Sequence, residues 1–223
     1  AGREVSVGYL ALAPHDADPA RRLAGWTPVF DIFPWEDRRT YGREPGPAPA
    51  LEIADWPDND SYSRAVSLFG LGDTQRWNEE RVLERYELLY ETGRVREAVR
   101  DHPVATVGTD TEFMPGLTMV SDHRRILATG LGRLRSKLRY RPVLFELMPD
   151  RFTLSALQKA AEAVVGLSLH KQNFRRGVER TGLVEPTGQL SVRTGGRPAE
   201  LFRSTGVDPK GGQAPGLALP GQR

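Results

Sequence analysis

Residues 152–202, FTLSALQKAAEAVVGLSLHKQNFRRGVERTGLVEPTGQLSVRTGGRPAELF, constrain this chain more than any other stretch. Thr153 is placed to cap free backbone N–H groups at a helix start, with Phe152 and Leu157 stapled across the first turn. Gly166 stops that helix. After the short turn Gly166–His170, Ser168 is expected to cap a second helix running to about Thr181, with Gly182 as its left-handed stop. Leu190–Val192 and Leu201–Phe202 flank Arg193-Thr-Gly-Gly-Arg197, and Gly195-Gly196 favours a primed hairpin turn. Helix, turn, basic helix and hairpin is the order of parts in a winged helix-turn-helix.

On the second helix Phe174 and Val178 are four apart, so they share one face and turn inward. At 100° per residue Gln172 and Arg176 then point away from the core, flanked by Asn173, Arg175 and Arg180. Gln172, Asn173 and Arg176 have side chains able to pair bidentately with base edges. Lys171, Arg175 and Arg180, with Arg193 and Arg197 at the hairpin tip, suit phosphates. The plainer alternative is a solvated helix face.

Charge distribution separates the two. Residues 1–138 carry 18 basic and 22 acidic side chains, and residues 139–205 carry 11 and 6, so the basic excess sits where the helix-turn-helix lies. That asymmetry favours a polyanionic partner for that part of the chain only. With 39% hydrophobic and 27% charged residues the chain is of globular type. It has no cysteine, which excludes disulfides and thiolate metal sites. No apolar run approaches the ~18 residues of a membrane span, and no signal peptide opens it, so a cytoplasmic location is expected.

Taken in order, residues 3–13 (REVSVGYLALA) read as a strand whose sheet partners lie elsewhere. The aromatic run WTPVFDIFPW, 26–35, is interrupted by acids and suits a core better than base stacking. Residues 40–49 hold too much Pro and Gly for regular structure. Asn78 is expected to cap a helix with the stripe Val82, Leu83, Tyr86, Leu89 and Tyr90, interrupted by Gly93 before a second piece, 94–101. Ser121 is expected to cap another, on which Leu127, Leu131, Leu134 and Leu138 form one apolar seam serving either the core or a dimer interface. Val143–Met148 reads as the first helix of the winged module. Residues 206–223 have no apolar period and are expected to be disordered.

No catalytic or metal set is present. His15, His102, His123 and His170 are scattered, no H-E-x-x-H, G-x-S-x-G or phosphate-binding glycine loop occurs, and Asp122-His123 diverge at i, i+1.

The strings TLSALQ, LHKQNFRR, TGLVE and GGRPAELFR, with REVSVGYLAL, NEERVLERYELLY and SDHRRILATGLGRLRSKLRYRPVLFELMP upstream, resemble NrtR, the Nudix-related transcriptional regulators of NAD metabolism. The resemblance covers most of residues 1–205. It implies an α+β chain: a partial Nudix-like α/β domain over 1–138, then a winged helix-turn-helix over 139–205. It further implies double-stranded DNA with a palindromic operator as partner, a homodimer, and ADP-ribose or a related nucleotide as effector. The REUxEExGU carboxylate cluster that holds Mg²⁺ in a Nudix box is absent from these residues. The expectation is therefore that the chain begins partway through that domain, with Mg²⁺ relevant only where the box is restored. The competing class is a Nudix pyrophosphatase acting on ADP-ribose, its box lying upstream. A third reading gives the winged domain to dimerisation or protein binding alone.

Overall fold

The computed structural model describes residues 7–13, 25–39, 56–71, 76–102, 113–138, 142–191 and 198–206. Within them the helices are α1 (Val29–Ile32), α2 (Asn59–Phe69), α3 (Val82–Glu91), α4 (Arg96–Asp101), α5 (His123–Leu138), α6 (Leu154–Val165) and α7 (Lys171–Thr181). Short 3₁₀ turns cover Pro34–Glu36 and Val143–Leu147, and β1 (Val184–Ser191) pairs antiparallel with β2 (Ala199–Ser204). The chain is thus mixed helix and strand.

Two apolar cores organise it. Ile32, Phe33 and Trp35 meet Ala65, Leu68 and Phe69 of α2, Val82, Tyr86, Leu88 and Leu89 of α3, and Ala128 and Leu131 of α5. The aromatic run therefore packs a core as its composition suggested, except Trp26, which is 72% exposed. The second core joins Leu144, Leu157, Ala161, Val165, Phe174, Val178 and Val184 to Leu134 and Leu138 of α5. The leucine seam is thus spent on core packing, its amino-terminal half in one cluster and its carboxy-terminal half in the other. Each fully buried leucine of this kind is worth about 1.5–3 kcal/mol, so α5 is the beam that both halves of the protein grip.

Several local expectations shift. The helix after Asn78 begins at Val82, because the Asn78 carboxamide oxygen accepts from the Glu80 amide (2.9 Å) and closes a turn ahead of the helix. The following piece is α4, starting at Arg96. α5 begins at His123, so its cap position falls on Asp122, while Ser121 adopts φ 49° and its carbonyl accepts from Arg100 Nη2 (2.7 Å). Val143–Leu147 is a 3₁₀ turn: the six residues between Pro142 and Pro149 are too few to propagate an α-helix.

Residues 7–13 form no strand, since a strand needs a paired neighbour and none lies among the described residues. Instead Gly8 lies against Ile126 of α5, Leu12 reaches the second core, and Tyr9 is exposed. The proline-rich loop 40–49 and the segment 207–223 lie outside the described residues.

Candidate nucleic-acid interface

The local chemistry of residues 152–182 builds a helix-turn-helix. The Thr153 hydroxyl accepts from the Ala156 amide (3.1 Å) and caps α6. Phe152 and Leu157 are both buried beside it, as the staple requires. Gly166 (φ 74°) ends α6 and Gly182 (φ 65°) ends α7, each in the left-handed conformation. α7 starts at Lys171, later than a Ser168 cap would place it. The reason is a bracket from α6: Glu162 Oε1 accepts from the Leu169 amide (2.9 Å), and Gln158 Nε2 donates to the Leu169 carbonyl (2.8 Å). These bonds commit the backbone of Leu169 to the turn, leaving His170 at the cap position without a side-chain cap bond.

α7 buries one face and exposes the other. Phe174 is 2% and Val178 0% exposed, and both enter the second core. Lys171, Gln172, Asn173, Arg176 and Arg180 are exposed, and none has a hydrogen-bond or salt-bridge partner among the described residues. The structure thus brings together the six α7 residues singled out from the sequence, five of them fully on the outer surface. The sixth, Arg175, is half-buried, and its Nη2 donates to the Ser155 hydroxyl of α6 (3.2 Å).

That bond marks a feature the sequence reading missed. An open cleft of about 880 Å³ is lined by Thr153, Leu154 and Ser155 at the amino end of α6, Lys171 and Arg175 on α7, and Phe202 on β2. Glu179 and Glu200 line it too, so in formal charge the two carboxylates balance Lys171 and Arg175. Ser155 is the site residue with no signal in the sequence, since its role depends on where α7 lies.

The wing is anchored to the same elements. Phe152 and Phe202 exchange backbone hydrogen bonds (3.0 and 2.8 Å), so the residue entering α6 forms a bridge to β2. β1 begins at Val184, earlier than the expected Leu190, because it carries a bulge. Four residue steps from Pro186 to Leu190 oppose two from Phe202 to Glu200, with Gly188 at φ 70°. The Thr187 hydroxyl donates to the Leu201 carbonyl across it (2.8 Å). The last described pair is Ser191 with Ala199, so Arg193, Arg197 and the Gly195-Gly196 turn lie outside the described residues.

Among the described residues no group of three His, Cys, Asp or Glu side chains is placed to hold a metal ion. The described residues thus offer no carboxylate set for a Nudix Mg²⁺ site, and no hydrolytic step is assigned to them. No helix among the described residues is long and apolar enough to cross a membrane.

A capped helix, a bracketed turn, an amphipathic basic helix and a bridged two-stranded hairpin define a winged helix-turn-helix domain. Residues 144–204 match the NrtR DNA-binding winged helix domain. Over 87 residues the chain is 40% identical to the "ADPR responsive transcriptional repressor NtrR" of Acinetobacter baylyi. Residues 144–204 are therefore similar to the DNA-binding winged helix of NrtR regulators. The match to the Acinetobacter protein covers 39% of this chain and 34% of the relative, so the chain spans about a third of that relative's length. It is also similar to Shewanella oneidensis NrtR. The crystal structure complexed with a 27mer DNA matches at 31% identity over 40% of each chain, with a TM-score of 0.35. A second crystal structure of that protein matches at 30% identity over 49% of this chain and 51% of that one, with a TM-score of 0.34.

Proposed function

We propose that this chain is a DNA-binding transcriptional regulator that controls NAD-related genes from the cytoplasm and responds to ADP-ribose or a related nucleotide. In this reading residues 1–138 are part of a Nudix-like effector domain, residues 139–205 bind double-stranded DNA, and residues 206–223 are a tail. A homodimer sets two α7 helices on the half-sites of a palindromic operator. The observation that carries the proposal is the outer face of α7, where Gln172, Asn173 and Arg176 stand exposed opposite Phe174 and Val178. Such a helix laid in the major groove aims those three at base edges. Lys171, Arg175 and Arg180 hold phosphates beside the α6 end, and Arg193 and Arg197 do so from the wing. Supporting it, the family match falls on this domain, and a relative of the chain is named as responsive to ADPR. The pyrophosphatase alternative finds no carboxylate cluster among the described residues.

The test is a titration of duplex DNA with the whole chain at several salt concentrations. Lys171→Ala should weaken operator and random duplex alike and lower the slope of log affinity against log salt by about 0.9, one phosphate contact's worth. An unchanged slope would remove Lys171 from the interface. Absence of wild-type binding to any duplex would reduce the winged domain to protein binding. ADP-ribose added to the same titration should change the operator affinity and leave random-duplex affinity unchanged.

A further inference from the structure

The winged domain is clasped from within the amino-terminal unit by a three-residue strap, 36–38. Glu36 is fully buried, and its carboxylate accepts from Arg85 Nε (2.6 Å) and Nη2 (2.8 Å) and from Arg135 Nη1. Arg135, on the α5 beam between the two cores, also donates through Nε to the Val164 carbonyl (2.8 Å). Val164 lies in the last turn of α6, where carbonyls have no intrahelical partner. The strap's backbone is held too: the Arg38 amide donates to the Gly166 carbonyl (2.7 Å), and Arg38 and Leu167 form a parallel bridge. Contact here is so close that a Cβ on Gly166 would lie 2.1 Å from the Glu36 carbonyl oxygen. On its outer side Arg38 Nη1 donates to the Phe69 carbonyl (2.9 Å) and its guanidinium lies 4.6 Å from the centre of the Trp77 ring.

We propose that Glu36, Arg38 and Arg135 are positioning residues for operator recognition, setting the angle at which the amino-terminal unit holds the helix-turn-helix. This inference rests on the dimeric DNA-binding reading above. The strap touches Gly166 and Leu167, which open the turn whose Leu169 is held at both amide and carbonyl by Glu162 and Gln158, so strap and turn move together with the winged domain. Packed interiors switch between discrete arrangements rather than deforming continuously. Within one winged domain the order of α6, α7 and wing is internal and survives a change at the strap. In a dimer, however, the angle at each strap fixes the distance between the two α7 helices, which must match half-sites spaced by about one helical turn, roughly 34–36 Å. The strap therefore governs simultaneous engagement of two half-sites and leaves engagement of one unaffected.

The experiment uses the whole chain, a duplex selected by the wild type from a random pool, and the same duplex with one half-site scrambled. Linked sites gain avidity only when geometry permits both to engage, so Arg135→Lys should lose about tenfold in preference for the two-site duplex. Its affinity for the single half-site and its salt slope should match wild type. Lysine keeps the positive charge beside Glu36 but lacks the guanidinium fork that reaches Val164 as well. If Arg135→Lys fails to fold, Arg38→Ala carries the same prediction, since it removes no fully buried ion. Equal loss on both duplexes marks a merely structural role and overturns the proposal, as does wild-type behaviour on both. A wild type that itself shows no preference for two half-sites sinks the dimeric reading first, and this inference with it.

Discussion

Replacing Glu36 with alanine is expected to destabilise the protein by about 3–5 kcal/mol, the cost of leaving buried charge uncompensated. The substitution strands two guanidiniums, Arg85 and Arg135, both fully buried. Exposed pairs such as Arg203–Glu185 (63% and 46% exposed) are worth about 0–1 kcal/mol, so Arg203→Ala serves as the matched control. The effect has a pH signature. Burial pushes the Glu36 carboxyl up, but Arg85 and Arg135 outweigh it and hold it below the usual carboxylate range. A carboxylate depressed on folding contributes stability above its unfolded pKa of about 4.3, and that stability is lost as pH falls through the lower folded value. Urea titrations at pH 7 should show the full difference between wild type and Glu36→Ala, and titrations carried into strong acid should show it shrinking. A difference under about 1 kcal/mol at pH 7 would mean that the triad does not hold the two halves together.

Gly166→Ala should cost markedly more than Gly182→Ala, although both glycines cap helices in the left-handed conformation. At either position a Cβ costs about 1–2 kcal/mol in backbone strain. Beyond Gly182 there is open space, with no atom within 4 Å of the added carbon. At Gly166 the new methyl meets the Glu36 carbonyl, a backbone atom fixed by the buried triad, so the joint must open. Overpacking of that kind adds about 1–3 kcal/mol. Urea midpoints of the two variants read the difference directly. Equal midpoints would show that the strap does not press on the turn.

What was legible in the sequence was local. Thr153, Gly166, Gly182 and the Phe174/Val178 spacing act within one helix turn of themselves, and each is found in the expected role. α2 went unremarked although its signal is local too, since Asp58 accepts from the Ser61 amide and Ala65, Leu68 and Phe69 share a face. Other features depend on partners distant in sequence. The later start of α7 depends on Glu162 and Gln158, the strap on Glu36 and Arg135, which are 99 residues apart, and the Ser155–Arg175 contact on the packing of two helices. Gly166 shows the limit most clearly: a helix stop is readable from one residue, but the carbonyl pressed against it is not. Residues 7–13 form no strand for the complementary reason, because a β-branched and aromatic run becomes a strand only where something pairs with it.

The measurement that bears most directly on the central claim is the specificity ratio of Arg176→Ala, its affinity for a wild-type-selected duplex over that for random sequence. Arg176 is exposed on the face opposite Phe174 and Val178 and has no partner among the described residues. In the proposed reading it pairs with a base edge in the major groove, and one bidentate pair is worth about 1–3 kcal/mol of discrimination. The ratio should therefore fall about tenfold or more while the salt slope falls by less than about one phosphate contact. A ratio equal to wild type, with affinity lost uniformly on both duplexes, would contradict the assignment of this face as the surface that reads DNA sequence.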